Sequence, residues 1–328
     1  MNPYSIPQTI HQVLVEPNAL RLGPKASGGL SGALIWQCQS PQGPVALRCW
    51  PAIHPTPERL SEIHAAMLVA RGQDLPFVPA IIKNCRGGSY TSDGKRLWEV
   101  TQWMPGMADY LAAPSTERLQ AALRALAKLH RAWQGTPQSL TPVGLSPTVI
   151  ERSQKLEYYL EQLSTWTRQP LIDSPHRRLA DHTLQRLAAH GPQLMQQLAI
   201  VRYQPIPLHF VLRDVWSDHI LFTDDRVTGI IDYGAARVDE PATDVARLLG
   251  SLEPFDRGRW MIGWEAYQAF NPLVDLERVR VLDRVGTLLS AVQWLQWLVL
   301  QPRSFKATTN QLTERWQRLL HRIELDSK

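Results

Sequence analysis

Cysteine is scarce in this chain. Cys38, Cys49 and Cys85 are an odd number without CxxC spacing, which excludes a disulfide framework and a cysteine-rich zinc site. Cys38 and Cys49 fall in apolar, strand-like stretches and read as small buried residues. Long hydrophobic runs are also missing. The most apolar window, residues 285–300, contains Gln293 and Gln296 and is too short and polar to cross a bilayer, so a buried helix is expected and no membrane partner. The opening "MNPYSIPQTIHQ" has neither a basic cluster nor an apolar core, so no signal peptide is expected and the expected location is cytoplasmic. Basic residues exceed acidic ones, 35 Lys and Arg against 30 Asp and Glu, yet they form no block. That pattern points to small anionic ligands and away from nucleic acid. Internal repeats and low-complexity segments are absent as well.

What is present is a globular composition, 44% apolar and 20% charged, in 328 residues, enough for two domains or two lobes. The first part reads as strands around one helix. "LRLGPKASGGLSGALIWQCQS" is a Gly-rich turn running into a strand, "SPQGP" is a turn, and "VALRCW" is the returning strand. A helix starts at Thr56, a good N-cap before Pro57, with Leu60, Ile63, Met67 and Ala70 as its apolar stripe and Glu62 beside it. "LWEVTQWMPG" is a further strand closed by Pro105 and Gly106. Helical patterns then take over: Leu119, Leu123, Leu126 and Leu129 share one face of "STERLQAALRALAKLHRAWQG". "SPTVIERSQKLEYYLEQL" and "HRRLADHTLQRLAAHGPQLMQQL" follow with Ser-Pro and Gly-Pro punctuation. The expected division is a β-rich lobe over residues 1–104 and a mainly helical lobe over 105–328.

One stretch interrupts the helices. "LRDVWSDHILFTDDRVTGIIDYG" sets Asp214 before, and Asp232 after, an apolar–turn–apolar hairpin in which "TDDR" supplies the turn. A lone loop aspartate is usually a cap or a solvated charge. Two, eighteen residues apart and followed by Asp244 in "PATDVARLL", are harder to dismiss. In order and in spelling the chain resembles the phosphotransferase enzyme family, the aminoglycoside phosphotransferase and choline kinase branch of the protein-kinase-like fold. The resemblance covers about residues 20–300, is sharpest over 209–250 and weakest in the Gly-rich loop.

The resemblance implies an α+β, two-lobed fold and a phosphotransferase that moves the terminal phosphate of ATP or GTP to a hydroxyl of a small molecule. Phosphoryl transfer is mostly positioning and charge neutralisation, so carboxylates are needed for the acceptor proton and for a divalent metal, Mg or Mn. The resemblance makes Asp214 the catalytic carboxylate and Asp232 a metal ligand. It places the nucleotide between the lobes, with Gly28, Gly29, Ser31 and Gly32 over the phosphates and Arg48 and Glu62 beside them. Gln102 to Met104 form the linker that meets the adenine edge, largely through backbone groups. Asp244 either braces the catalytic loop or is a plain charge at a helix N-terminus.

Three positions depart from the family pattern. Leu212-Arg213-Asp214 stands where the family has His-Gly-Asp, and His209 is out of register to replace that histidine, so a core or capping role is expected for it. Arg48 stands where the family has lysine; it keeps the charge with a wider, two-pronged head that Glu62 could satisfy, and the alternative is a solvent-facing strand arginine. His219 stands where the family has a metal-binding asparagine. It could ligate a metal other than magnesium, hydrogen-bond Asp214 or a phosphate, or mark a site that has lost a metal; Asp218 is a spare carboxylate next to it. These departures keep a second reading open, a catalytically inactive kinase-fold protein that binds nucleotide or a small ligand. The acceptor itself has no motif. Among the twelve tryptophans, Trp260 with Trp264 and Trp294 with Trp297 have helical spacing and read as core. The acidic cluster Asp239, Glu240, Asp244, Glu253 and Asp256 is the one feature that would suit a polycationic substrate.

Overall fold

The computed structural model describes the backbone of residues 21–26 and residues 32–134, 143–168, 176–303, 305 and 308–325. By its internal contacts the chain forms two compact units, one of residues 1–136 with 217–237, the other of residues 137–216 with 238–328.

The first unit is built on a five-stranded antiparallel sheet in the order β1 (Arg21–Ala26), β2 (Leu34–Ser40), β3 (Gly43–Cys49), β5 (Leu97–Gln102), β4 (Thr91–Ser92). Strand alternation sends Val45, Leu47 and Cys49 into a core with Trp36, Cys38, Trp98 and Val100, where the rings of Trp36 and Trp98 stack. The same period of two turns Arg48 to the opposite face, with Glu99 as its cross-strand partner. Helix α1 (Pro57–Gly72) begins as its sequence predicts: the Thr56 hydroxyl accepts the Arg59 amide at 3.2 Å, and Leu60, Ile63, Met67 and Ala70 are buried. Helix α2 (Thr116–Gln134) buries all four leucines of its predicted face. Trp133 on α2 donates its indole N–H to the carbonyl of Ala66 on α1.

The hairpin of β9 (Ile220–Thr223) and β10 (Arg226–Ile230) also belongs to this unit, and Asp224, with φ +53°, makes its turn. The segment leaving β5 is pinned against this hairpin, because Met107 and Phe222 exchange backbone hydrogen bonds of 2.9 Å in both directions. Gly106 makes the approach possible. Its φ is +97°, and a β-carbon there would press into the Phe222 carbonyl and the Thr228 hydroxyl. Gly106→Ala is therefore expected to cost about 2–4 kcal/mol of stability, measured as a shift of the denaturant midpoint at constant m, since strain and overlap add.

The second unit is helical. Helices α3 (Pro147–Arg168), α4 (Arg177–Arg202), α5 (Ala242–Leu252) and α8 (Thr309–Leu325) pack on α7 (Leu276–Leu295), whose buried Val279, Leu282, Val285, Leu288, Val292 and Leu295 form the spine; α6 (Arg257–Gln268) packs on α5. Short strand pairs β6 (Val143–Gly144) with β7 (Ile206–Pro207), and β8 (His209–Val211) with β11 (Arg237–Asp239), interrupt the helices. Gly191-Pro192 punctuates α4 without ending it. A β-carbon at Gly191 would lie 2.7 Å from a methyl of Leu160, so glycine permits the close α3–α4 contact, and Pro192 sits exposed beside it. Trp260, Trp264 and Trp294 are buried, as their spacing predicts, whereas Trp297 is only partly buried; His209 is buried with its Nδ1 on the Phe210 carbonyl. No helix among the described residues is long and apolar enough to cross a membrane.

Candidate active site

The residues singled out by sequence fall into two groups, one in each unit. In the first unit Arg48 is the hub. Its Nη1 lies 3.2 Å from Oδ1 of Asp232, its Nε lies 3.6 Å from Oε1 of Glu99, and its guanidinium rests on the Trp50 ring. Glu99 is buried and its other oxygen is 2.6 Å from Nε2 of His64, whose Nδ1 is 2.8 Å from the Ser89 hydroxyl. A continuous polar chain thus runs from α1 through β5 and β3 to Asp232. The arrangement differs from the expected Arg48–Glu62 pair. Glu62 is exposed and pairs with Arg59 one turn earlier on α1, while His64 of the same helix is buried and the carboxylates beside Arg48 are Asp232 and Glu99 of the adjacent strand.

Asp232 has a second neighbour in the His219 imidazole. Nε2 of His219 lies 3.8 Å from its Oδ2, and the Ile231 amide donates to the His219 carbonyl, which ties the two ends of the hairpin together. Two oxygen or nitrogen donors therefore converge here. Asp218, next in sequence, is exposed and shares a hydrogen bond with Ser217. Among the described residues no group of three or more His, Cys, Asp or Glu is placed to hold a metal ion. One carboxylate is within the one or two by which magnesium is commonly held, with phosphate and water completing the shell, and the imidazole beside it is better suited to a transition metal such as manganese. Tyr233, following Asp232, is fully in the core against Trp133, and burial pushes its phenol far above the ordinary range.

Of the linker, the Gln102 and Trp103 amides are committed to the carbonyls of Ala80 (2.7 Å) and Pro44 (3.1 Å), and Met104 is buried. Gly32, with φ +77°, follows the Gly-rich stretch. Gly28, Gly29 and Ser31 lie outside the described residues.

In the second unit Asp214 sits on a loop held from beneath. Asp244, wholly buried in the first turn of α5, accepts the backbone N–H groups of Leu212 and Arg213 with both oxygens, each at 2.6 Å. Those bonds fix Arg213 at φ +64°. Arg213 and Asp232 (φ +65°) are two of four described non-glycine residues in the left-handed region; the other two, Asp74 and Asp224, follow a helix and make a hairpin turn. Strain held by surrounding structure is a mark of functional loops. The Arg213 guanidinium is anchored by Glu151 and by Asp239, 3.2 Å from its Nε. The Asp214 carboxylate is half-exposed and paired with Arg247, one turn along α5 from Asp244.

The acidic cluster does not present itself to a cation. Asp239 accepts the amide and hydroxyl of Thr148, Glu240 holds Ser146 and Arg278, Glu253 pairs with Arg259, and Asp256 caps α6. Burial pushes the Glu240 carboxyl upward, opposed by the Arg278 guanidinium and the Ser146 hydroxyl. Sequence reasoning missed His64, Glu99 and Arg247. A carboxylate between Trp98 and Val100 in an otherwise apolar strand was the available signal for Glu99.

Strand-rich and helical parts of this kind, with one aspartate before and one after a hairpin in sequence, are those of a protein-kinase-like fold of the small-molecule phosphotransferase class. A family model described as the phosphotransferase enzyme family matches residues 25–282, and the chain belongs to that family. Among solved structures it is similar to an aminoglycoside phosphotransferase from Alicyclobacillus acidocaldarius (TM-score 0.66, 15% identity, 98% of this chain and 93% of the other). It is also similar to a spectinomycin phosphotransferase in complex with ADP and spectinomycin (TM-score 0.65, 9% identity, 97% and 96%). A third is the amicoumacin kinase bound to AMP-PNP, Ca2+ and amicoumacin (TM-score 0.64, 15% identity, 97% and 92%). No curated protein matches by sequence. Identities this low establish the shared fold and leave substrate to the residues of this chain.

Proposed function

We propose that this protein transfers the terminal phosphate of ATP or GTP to a hydroxyl of a small molecule. The observation that carries the reading is Asp214, an exposed carboxylate on a loop that the buried Asp244 holds rigid. In this reading the acceptor oxygen attacks the γ-phosphorus, its proton passes to Asp214, and the bond to the bridging oxygen breaks to release the nucleoside diphosphate. Arg48 receives phosphate oxygens, held in place by Glu99 in the role expected of Glu62. Asp232 and His219 would hold a divalent ion, Mg or Mn, which when bound neutralises phosphate charge. With the Gln102 and Trp103 amides committed, the Met104 amide and the linker carbonyls are left for the base edge. Gly28, Gly29, Ser31 and Gly32 would approach the phosphates through backbone N–H groups. The division into a nucleotide lobe, residues 1–104, and an acceptor lobe, residues 105–328, belongs to the same proposal.

A second reading follows from the Arg48–Asp232 contact. A cation already bonded to the metal carboxylate competes with metal, as in a kinase-fold protein that binds nucleotide and transfers nothing. The two are separated by following ATP and GTP consumption against a library of hydroxyl compounds while titrating magnesium and manganese. The transferase reading expects acceptor-dependent turnover that saturates in metal. Nucleotide binding that raises Tm, with no turnover at any metal concentration, establishes the second.

A further inference from the structure

The pair formed by Asp214 and Arg247 says something about the acceptor. Both side chains are about half-exposed, 44% and 40%, so solvent and ligand reach them. Exposed pairs of this kind are weak and readily exchanged. Among the described residues Asp214 is the one partner of Arg247, whereas the neighbouring Arg213 is committed to Glu151 and Asp239. The charge of Arg247 is felt by Arg152, which donates to the Leu282 carbonyl and, among the described residues, has no carboxylate in contact. Burial lowers its pKa to about 10, and the charges of Arg247 and Arg213 contribute in the same direction, against Glu240 and Asp239. The carboxylates flanking or within α5 in sequence, Asp239, Glu240, Asp244 and Glu253, are all buried and engaged.

Resting on the transferase reading above, we propose that the acceptor is a hydroxylated anion, carrying a carboxylate or phosphate a few bonds from the hydroxyl that is phosphorylated, and that Arg247 receives this oxyanion. A polycation arriving at Asp214 would meet carboxylates already paired with guanidinium groups, Asp214 with Arg247 and Glu151 with Arg213. An anion meets the guanidinium itself. When the oxyanion takes the Arg247 Nη2, the Asp214 oxygen it leaves turns to the hydroxyl proton, so binding of the correct acceptor and release of the base are one exchange. The transfer then balances as written above: the proton goes to Asp214, the new bond is acceptor oxygen to phosphorus, and the diphosphate leaves with the bonding pair.

The test uses the full chain with ATP and matched sets on three- to six-carbon skeletons. Each set has a carboxylate, a phosphate, a carboxamide and an amine member, such as glycerate, glycerol 3-phosphate, glyceramide and 3-aminopropane-1,2-diol. For the set that is turned over, kcat/KM for an oxyanion member is expected to exceed that of the amide by about thirtyfold or more, the scale of a paired charge. Arg247→Ala is expected to collapse that ratio towards one, and Arg247→Lys to restore part of it. The carboxylate and phosphate arms show which oxyanion is preferred. Equal or better turnover of the amine member, or a ratio unchanged in Arg247→Ala, overturns the proposal. Calorimetric titration of the same compounds separates the two layers of argument. Oxyanion binding that depends on Arg247 without turnover of any set keeps the oxyanion site and overturns the transferase reading; binding blind to charge, or none, overturns the site.

Discussion

Asp214→Asn is expected to lower kcat by about a thousandfold, within the range for removing a positioned proton acceptor, while KM for the nucleotide changes by less than about threefold. A thousandfold corresponds to roughly 4 kcal/mol of transition-state stabilisation. The substitution is nearly isosteric. The amide can still accept a hydrogen bond from a hydroxyl, but it does not take up the proton that must leave as the oxygen attacks. Asp244 keeps its grip on the Leu212 and Arg213 amides, so the loop conformation survives. In the proposed reading, binding of nucleotide rests on Arg48, Asp232 and the linker, none of which the change touches. A fall in kcat shared with a comparable rise in nucleotide KM would mean that Asp214 positions phosphate. A rate unchanged in the variant would remove it from the chemistry altogether.

The sequence made Asp214 and Asp232 legible because their signal is local. Two apolar quartets around a two-aspartate turn can only be a short hairpin, and a hairpin brackets its flanking residues whatever the rest of the chain does. Helix α1 was legible for the same reason, through Thr56, Pro57 and a periodic stripe. The partner of Arg48 was not. Strand register decides it, and register depends on which strand lies beside β3, a non-local fact; β5 brings Glu99 opposite Arg48 and leaves Glu62 to solvent. His64 was hidden by type, since a histidine within an apolar helix face reads as core unless its carboxylate partner is known. Arg247 could have been found. It follows Asp244 by three residues, so any role for Asp244 beneath the catalytic loop puts Arg247 on the same face. The acidic cluster shows the opposite limit: proximity in sequence does not make a shared exposed surface, since Asp239 and Glu240 share the buried Ser146 hydroxyl and Asp244 holds the Leu212 and Arg213 amides.

Asp244 decides between the two accounts its sequence allowed, and the size of an effect tells them apart. If it were only a charge at the N-terminus of α5, Asp244→Asn would cost about 0.3–1 kcal/mol, and salt would screen the loss. As a brace it should cost far more. Its two oxygens each take one backbone N–H, and it has no exposed surface. Asparagine offers one oxygen; its NH2 group then faces the second amide, leaving a buried donor unsatisfied against another donor. The expected loss is about 2–4 kcal/mol, one charged hydrogen bond plus the desolvation of the stranded N–H. Because the bonds are buried, the loss should be nearly the same at low and high ionic strength. Activity should fall as well, because the Asp244 bonds help hold the left-handed conformation of Arg213 next to Asp214. Denaturant unfolding of Asp244→Asn at two salt concentrations measures both quantities. A loss below 1 kcal/mol that shrinks in salt would return Asp244 to the helix and leave the position of Asp214 without its support.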